Sequence, residues 1–221
     1  MMTYLVKTPF WLKKLYAECT WDVKTDDNVI YLTFDDGPHP TLTDFVLDEL
    51  SKFEAAATFF CIGNNVENHP DVYTRILQAG HAVGNHTQSH VNGWSTEKAS
   101  YLRDIMDARK WIDSELFRPP YGRITKSQLR LLQKLQPPLQ PIMWTVLSGD
   151  FDEKLSKEQC LKNVINNARR GSIIVFHDSD KAAEKLKFAL PKVLQIFSEK
   201  GFAFKKLETT KKNLTALVGG R

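Results

Sequence analysis

Short apolar runs rich in β-branched and aromatic residues alternate with longer segments of helical periodicity along almost the whole chain. The apolar runs cover residues 28–34, 55–62, 81–84, 117–118, 141–147, 172–176 and 202–207. The segments with helical spacing cover residues 42–53, 66–79, 96–116, 125–135, 157–168 and 182–198. Short strands that alternate with helices are typical of a parallel sheet covered by helices. The pattern therefore predicts an α/β fold.

The number of apolar runs limits the choice of architecture. Seven strand–helix units in about two hundred residues indicate a barrel close to the (β/α)₈ type but short of one strand. A flat, doubly wound sheet is the alternative that the pattern leaves open. Both architectures place their chemistry at the carboxyl ends of the strands, so we expect the functional residues to follow the apolar runs.

The chain is expected to form one catalytic domain with a short extension in front of it. Its 221 residues, of which 42% are hydrophobic, supply enough apolar material for a single core. We assign residues 28–221 to the domain and residues 1–27 to an N-terminal extension. The aromatic residues of this extension favour packing on the barrel, with docking on a membrane surface as the alternative.

Two aspartates and two histidines follow the first and third apolar runs. His86 and His90 are four residues apart, which brings both imidazoles to one face of a helix or helical turn. Such a pair also arises by chance, and Asp35 with Asp36 is also compatible with an ordinary turn before Gly-Pro. Taken together, two imidazoles and one carboxylate complete the three-ligand set of a catalytic zinc. The second carboxylate can then take a proton from water in the open coordination position.

Three further polar residues follow other runs. A hydrolytic site with a carboxylate base also needs an acid, and His177 can serve near neutral pH, with a buried core histidine as the alternative. Asp150 is placed by strand order to hold the other ring nitrogen of His177. Arg118 is expected beside Asp35, where it would orient the carboxylate and keep it ionised, with a surface salt bridge as the alternative.

These segments resemble the motifs of the polysaccharide deacetylase family, the NodB-homology group of carbohydrate esterases. TFDDGP at 33–38 is similar to the first family motif, HTQSH at 86–90 to the second and RPPYG at 118–122 to the third. The resemblance extends over about residues 29–207. It implies a deformed (β/α)₇ TIM-like barrel and a metal-dependent enzyme that removes acetyl groups from N-acetylated sugars or, in some members, from O-acetylated xylan.

The resemblance also implies which residues hold the metal. Asp36, His86 and His90 would bind it, usually as zinc with cobalt or nickel also accepted, and Asp35 would be the base. His177 would protonate the departing amine.

Two supporting roles are implied in the same way. Asp150 would tune His177, and Arg118 would steady Asp35.

The substrate side of the site is expected from the third and fourth motifs. The backbone N–H of Tyr121, next to Pro120, would stabilise the oxyanion of the tetrahedral intermediate. Phe151 follows Asp150 where many family members have tryptophan, and Leu147 stands where many have aspartate. We therefore expect an active enzyme with an altered site wall.

The function predicted from these residues is N-deacetylation of an amino-sugar glycan or glycan precursor. An O-acetyl esterase of the xylan type uses the same residues, and a binding protein that keeps the metal without turnover is a further alternative. Binding of nucleic acid is not expected, because the net charge is only +4 and the 30 basic residues are spread along the chain among 26 acidic ones.

The first residues bear on the location of the protein. Lys13 and Lys14 interrupt the early apolar stretch, and no small-residue cleavage site follows. The sequence thus predicts neither a signal peptide nor a transmembrane segment. We expect a location in the cytoplasm or at the inner surface of the membrane, and the oligomeric state is left open.

Overall fold

The computed structural model describes residues 4–209, which form eight strands, eight α-helices and two short 3₁₀ helices. The strands are β1 (Val29–Asp35), β2 (Thr58–Cys61), β3 (Ala82–Asn85), β4 (Leu116–Phe117), β5 (Gln140–Pro141), β6 (Val146–Leu147), β7 (Ile173–His177) and β8 (Ala203–Phe204). The α-helices are α1 (Phe10–Leu15), α2 (Leu42–Ser51), α3 (Gly63–Asn68), α4 (Pro70–Gln78), α5 (Lys98–Ala108), α6 (Lys126–Leu132), α7 (Lys157–Ile165) and α8 (Ala183–Glu199). The 3₁₀ helices are Pro120–Gly122 and Asp180–Ala182. Residues 1–3 of the predicted extension and 210–221 of the predicted domain lie outside the described residues.

The strands form one curled parallel sheet. Their order is β5-β4-β3-β2-β1-β7-β6, and β8 pairs with the beginning of β1. All pairings between these strands are parallel, and β1 is bonded to β2 on one side and to β7 on the other. Parallel neighbours need crossover connections, which the helices of the outer layer supply. The curvature of this sheet confirms the deformed barrel and not the flat alternative.

The segment 140–147 closes the curled sheet. Its first part, β5, pairs with β4, and its last part, β6, pairs with β7. Only residues 142–145 separate these two strands along the chain, although they stand at opposite ends of the strand order. The prediction of one strand over 141–147 is therefore wrong. The first part of this segment pairs with β4, and the last part pairs with β7.

Side chains of β1 alternate between two layers. Ile30, Leu32 and Phe34 belong to the core between the sheet and the helices α2, α7 and α8. Thr33 and Asp35 lie on the other face, inside the barrel, where both are buried. This period of two is what directs the last carboxylate of the strand into the interior.

The neighbouring strand β7 repeats the alternation. Ile174 and Phe176 pack toward the helices, whereas Ile173 belongs to a cluster that fills the barrel, and His177 shares its face. In the register of the two strands, Asp35 is the partner of His177. Two adjacent strands therefore deliver a carboxylate and an imidazole to the same rim.

Two predicted helices are divided or shortened. The segment 66–79 forms the end of α3 and the whole of α4, because Pro70 begins a new helix and His69 before it has φ −132° and ψ 57°. Of the segment 96–116, only Lys98–Ala108 is an α-helix. Within residues 4–209, no helix combines the length and apolar character that a membrane span requires.

The N-terminal residues lie along the closing segment of the barrel. Isolated backbone bridges join Lys7 to Val146, Thr20 to Ile142 and Asp22 to Ser172. Trp21 is buried, and its indole N–H donates a hydrogen bond to the carbonyl of Tyr16 at 2.9 Å. Residues 4–27 thus contact the barrel, while the division into an extension and a catalytic domain stays a prediction.

Candidate active site

The carboxyl ends of β1 and β3 bring one aspartate and two histidines together. Asp36 Oδ1 lies 3.2 Å from His90 Nε2 and 3.7 Å from His86 Nε2. One potential ligand atom of each residue lies within 4.8 Å of the others, and residues 4–209 contain no second group of His, Cys, Asp or Glu with this arrangement. We call these three side chains the ligand cluster.

The two histidines converge through a loop and not through a helix. They follow β3 in a stretch without helical structure, where Thr87 and His90 have positive φ values of 66° and 57°. Asn85 supports this loop, because its side-chain oxygen accepts a hydrogen bond from the Thr87 N–H at 2.8 Å. The prediction that a helical turn presents both imidazoles is therefore wrong, although the ring centroids are only 5.0 Å apart. Positive φ at non-glycine residues is uncommon and concentrates at functional sites.

His86 is held neutral with one nitrogen directed at Asp36. Its Nδ1 lies 2.8 Å from the backbone oxygen of Arg118. Because a carbonyl only accepts hydrogen bonds, Nδ1 carries the proton and Nε2 does not. Burial lowers the pKa of His86 to about 4. A neutral imidazole with its other nitrogen fixed by a backbone carbonyl is the state that metal binding requires.

Asp36 has a buried oxygen that the described residues leave unpaired. Its Oδ1 has no hydrogen-bond partner among them, whereas buried polar atoms are normally satisfied. Burial alone raises the pKa of Asp36, but the neighbouring His90 and His177 outweigh burial and hold the pKa well below its ordinary range. An ionised oxygen without a donor, beside two imidazoles, fits a divalent cation.

Arg118 is fully buried inside the barrel beside Asp35. Its Nη1 donates to Asp35 Oδ1 at 2.6 Å and to Thr33 Oγ1 at 2.7 Å. Its Nε and Nη2 donate to the carbonyls of Ile142 and Met143 at 3.3 and 3.2 Å. The guanidinium therefore fixes the Asp35 carboxylate, and it also bonds the chain between β5 and β6. Burial lowers the pKa of Arg118, and the Asp35 charge opposes that effect.

His177 and Asp150 form a second oriented pair. Asp150 is fully buried, and its Oδ1 lies 2.8 Å from His177 Nδ1. Burial alone lowers the pKa of His177, but the charge and hydrogen bond of Asp150 outweigh burial and raise the pKa to about 10. The imidazole is thus held protonated, with Nε2 left for other contacts.

Aromatic side chains stand beside both halves of the site. The ring of Phe151 packs edge-on against His177 with the centroids 5.2 Å apart, and the Tyr121 ring lies 4.6 Å from that of His90. Tyr121 has a positive φ of 60° in the turn that begins at the buried Pro120, and 61% of its surface is exposed. The structure therefore brings all the sequence-predicted site residues to one end of the barrel.

The N-terminal segment contributes Tyr4 to the site, and no pattern in the sequence indicated this. The Tyr4 ring lies 5.0 Å from Phe151, and the Tyr4 hydroxyl donates to Asp152 Oδ2 at 3.0 Å. Gly149 makes room for it, because a Cβ there would lie 2.7 Å from the Tyr4 hydroxyl oxygen. Tyr4 therefore packs behind the aromatic wall of the site.

Sequence analysis also missed Asp178, which follows β7 directly and is buried. Its Oδ1 accepts the Gly37 N–H at 3.0 Å, its Oδ2 accepts the Thr43 hydroxyl, and its own N–H donates to the Asp35 carbonyl at 3.1 Å. Burial raises the pKa of Asp178 to about 7. Through these hydrogen bonds, Asp178 links the end of β7 to the loop after β1. The only signal in the sequence was a second polar residue after an apolar run.

A curled parallel sheet with a histidine–aspartate cluster at its strand ends is compatible with a metal-dependent hydrolase, and comparison with known proteins identifies the family. The polysaccharide deacetylase family model matches residues 22–138, which is more than half of the chain. The chain belongs to the polysaccharide deacetylase family and is a carbohydrate deacetylase. Family membership and the ligand cluster together indicate a divalent metal site.

Similar proteins extend over most of the chain. A peptidoglycan-N-acetylglucosamine deacetylase of Bacillus cereus is 33% identical over 191 residues, which are 84% of this chain and 89% of the relative. A chitooligosaccharide deacetylase of Azorhizobium caulinodans is 34% identical over 171 residues, or 73% and 80% of the two chains. The crystal structure of the Bc1960 peptidoglycan N-acetylglucosamine deacetylase matches with a TM-score of 0.81 and 29% identity, covering 90% of this chain and 95% of that one. These findings confirm the predicted family and barrel.

Proposed function

We propose that this enzyme removes N-acetyl groups from an amino-sugar glycan and that its metal is zinc. The observation that carries the proposal is the register pairing of Asp35 with His177 at one rim, beside the ligand cluster. A hydrolytic deacetylase needs a base, an acid and a site for the acetyl oxygen within reach of one another. In this proposal, the ends of β1 and β7 supply the base, Asp35, and the acid, His177.

The ligand cluster would hold the cation. Two imidazole nitrogens and one carboxylate oxygen are donors that suit zinc, and cobalt or nickel accepts the same set. When bound, such a cation lowers the pKa of a coordinated water and polarises the acetyl carbonyl. The orphaned Asp36 Oδ1 and the fixed tautomer of His86 are the features of this chain that support metal binding.

Asp35 is proposed as the general base. Arg118 engages its Oδ1 and fixes the plane of the carboxylate, so that Oδ2 would accept a proton from the attacking water. The oxygen of that water bonds to the acetyl carbon. The backbone N–H of Tyr121 is proposed to donate to the oxygen that becomes negatively charged.

His177 is proposed as the general acid. Asp150 holds Nδ1, so Nε2 would give its proton to the sugar nitrogen as the carbon–nitrogen bond breaks. The products are acetate and a free amine. Proton removal at Asp35 and proton donation at His177 balance the overall addition of water across the amide bond.

Glycans that contain N-acetylglucosamine are the proposed substrates. The two relatives are named for peptidoglycan N-acetylglucosamine and for chitooligosaccharides, and both polymers carry this sugar. Phe151 and Tyr121 flank the acid and a metal ligand, so a sugar ring bound between them would place its acetyl group at the rim.

The test is acetate release from chitooligosaccharides, peptidoglycan fragments and acetylated xylan, with metal-free protein and protein reloaded with zinc. We expect zinc-dependent release from the N-acetylated substrates. Release from acetylated xylan alone would identify an O-acetyl esterase instead. Protein that binds zinc but releases no acetate from any substrate would contradict the proposal and favour a binding protein without turnover.

Asp35→Asn is the variant that separates catalysis from binding. The amide keeps the size of the side chain but cannot accept the proton, so kcat should fall by at least about 10²-fold. Zinc content and sugar affinity should stay close to those of the parent. A protein that only binds sugar would keep its affinity in this variant and have no activity to lose.

A further inference from the structure

Exposed apolar side chains are concentrated in the N-terminal arm, residues 4–16. Nine large hydrophobic side chains are exposed within residues 4–209, and four of them lie in this arm. They are Leu5, Phe10, Trp11 and Leu15, with exposed fractions of 54%, 71%, 62% and 55%. The family match begins only at residue 22. The arm therefore lies outside the part of the chain that the family model matches.

The helix of the arm, α1, has an inner and an outer face that are both apolar. Leu12 and Tyr16 pack against a core cluster of the barrel. At 100° per residue, Phe10 and Trp11 lie on the other side of the helix and Leu15 lies at its flank, about 60° from Leu12, and all three are exposed. An ordinary surface helix turns polar residues outward. In α1, one apolar face packs on the barrel and a second apolar face is exposed.

The charge of the arm indicates what can cover the outer face. The arm contains Lys7, Lys13 and Lys14 and no acidic residue. Lys13 forms an ion pair with Asp22, so Lys7 and Lys14 are the exposed cations of the arm. The exposed Lys14 Nζ lies 4.8 Å from the centroid of the Phe10 ring, so a cation stands on the apolar face itself. Tryptophan, phenylalanine and leucine with interspersed lysines form the composition that binds the interface of an anionic bilayer. Lysine stems also cover apolar surface while their ammonium groups reach the headgroups.

We propose that the outer face of α1 docks the enzyme onto an anionic lipid bilayer. Phe10, Trp11 and Leu15 enter the boundary between headgroups and acyl chains, and Lys14 binds the phosphates. This surface is separate from the ligand cluster, so docking goes beyond the proposed function. It also gives a physical means for the inner-membrane location expected from the sequence, because the arm that packs on the barrel is the same arm that offers a lipid-binding face.

The experiment is co-sedimentation of the full chain with phosphatidylcholine vesicles and with vesicles that also contain phosphatidylglycerol, at low and high salt. We expect binding to the anionic vesicles that weakens as salt rises, and little binding to phosphatidylcholine alone. Phe10→Ser with Trp11→Ser should lower the affinity at least about tenfold. Lys14→Glu should remove the preference for anionic lipid and keeps the test valid if the double variant fails to fold.

The control variant is Trp111→Ser, which removes an exposed tryptophan outside the arm and should bind vesicles as the parent does. Acetate release from a soluble chitooligosaccharide should be the same in the parent and the arm variants, which separates docking from the deacetylase proposal. Docking is overturned if the parent binds neither vesicle or if the arm variants bind like the parent. It is also overturned if ultracentrifugation shows a dimer that only the arm variants lose, since a second copy of the chain would then cover the face.

Discussion

His177 and Asp150 are joined at two points. The ring Nδ1 of His177 lies 2.8 Å from Asp150 Oδ1, and the backbone N–H of His177 donates to Asp150 Oδ2 at 2.7 Å. Both oxygens of a fully buried carboxylate are thus committed to one residue. The pair sets the direction of Nε2 and the charge of the ring together.

Asp150→Asn should move the alkaline limb of the kcat profile to lower pH. Against the effect of burial, Asp150 raises the pKa of His177 to about 10. A general acid works only while protonated, so activity is lost as the pH rises through its pKa, and removing the carboxylate lowers that pKa. The measurement is kcat against pH for parent and variant. Glu153→Gln, at an exposed site nearby, should leave the limb in place. An unmoved limb with reduced kcat would assign Asp150 a structural role only.

Arg118→Lys should destabilise the protein by about 3 kcal/mol or more and lower kcat. A lysine ammonium cannot reproduce the bonds that the guanidinium makes with Asp35, Thr33 and the two carbonyls of the closing segment. Urea denaturation gives the stability change, and acetate release gives kcat. The exposed Arg103→Lys is the matched control and should resemble the parent. Equal stability of parent and Arg118→Lys would mean that the buried guanidinium is dispensable.

Removal of the proposed zinc with a chelator should lower the melting temperature of the parent and abolish its activity. A ligand that binds only the folded state stabilises it by mass action, and its removal reverses that effect. His86→Gln should melt at the same temperature with and without a chelator, because the ligand cluster is incomplete. The measurements are thermal melting and zinc content. His69→Gln, outside the cluster, should respond to chelation as the parent does. A chelator response retained by His86→Gln would place the metal elsewhere.

Between pH 7 and 5, the contribution of His81 to the free energy of unfolding should fall by about 2 kcal/mol as the pH decreases. Burial, aided by the charge of Lys206, lowers the pKa of His81 to about 4, and its Nδ1 accepts the Ala57 N–H at 3.2 Å. Between this pKa and that of an unfolded histidine, the unfolded chain binds more protons. The stability that His81 contributes therefore rises with pH across that window. The measurement is urea denaturation of the parent and of His81→Asn at pH 7 and at pH 5. An equal change in the free energy of unfolding in the two proteins would exclude His81 as the source.

Tyr4→Ala should lower kcat/KM by about tenfold, because Phe151 loses the ring that supports it against His177. Tyr4→Phe keeps the ring and loses only the hydrogen bond to Asp152, so its kcat/KM should stay near that of the parent. Steady-state kinetics on one chitooligosaccharide compares the three proteins. If Tyr4→Phe is as impaired as Tyr4→Ala, the hydroxyl and not the ring supports the wall.

A strand could be predicted from the sequence where the burial of its own side chains is enough to determine it. Residues 29–34 are continuously apolar, aromatic or β-branched, and β1 forms there because a central parallel strand is buried on both faces. The segment 141–147 has the same local character, yet it divides into two strands. Its division depends on which neighbours lie on each side, and no local pattern contains that information.

The site was predictable in its residue types and less so in its geometry. The spacing of His86 and His90 identified a pair of imidazoles, but their convergence rests on positive φ at Thr87, which spacing does not indicate. Tyr4 had no signal at all, because the residue it bonds is 148 positions away along the chain. Contacts of that length are decided by the assembled barrel.

The strands form two arcs that share β1, and residues 142–145 of the closing segment join their far ends. One arc runs from β1 through β2, β3 and β4 to β5, and the other runs from β1 through β7 to β6. Because one short stretch of backbone joins the two arcs, its length limits how far apart β5 and β6 can lie. An insertion or deletion there would change the distance between the arcs and would also displace the carbonyls of Ile142 and Met143, to which Arg118 donates.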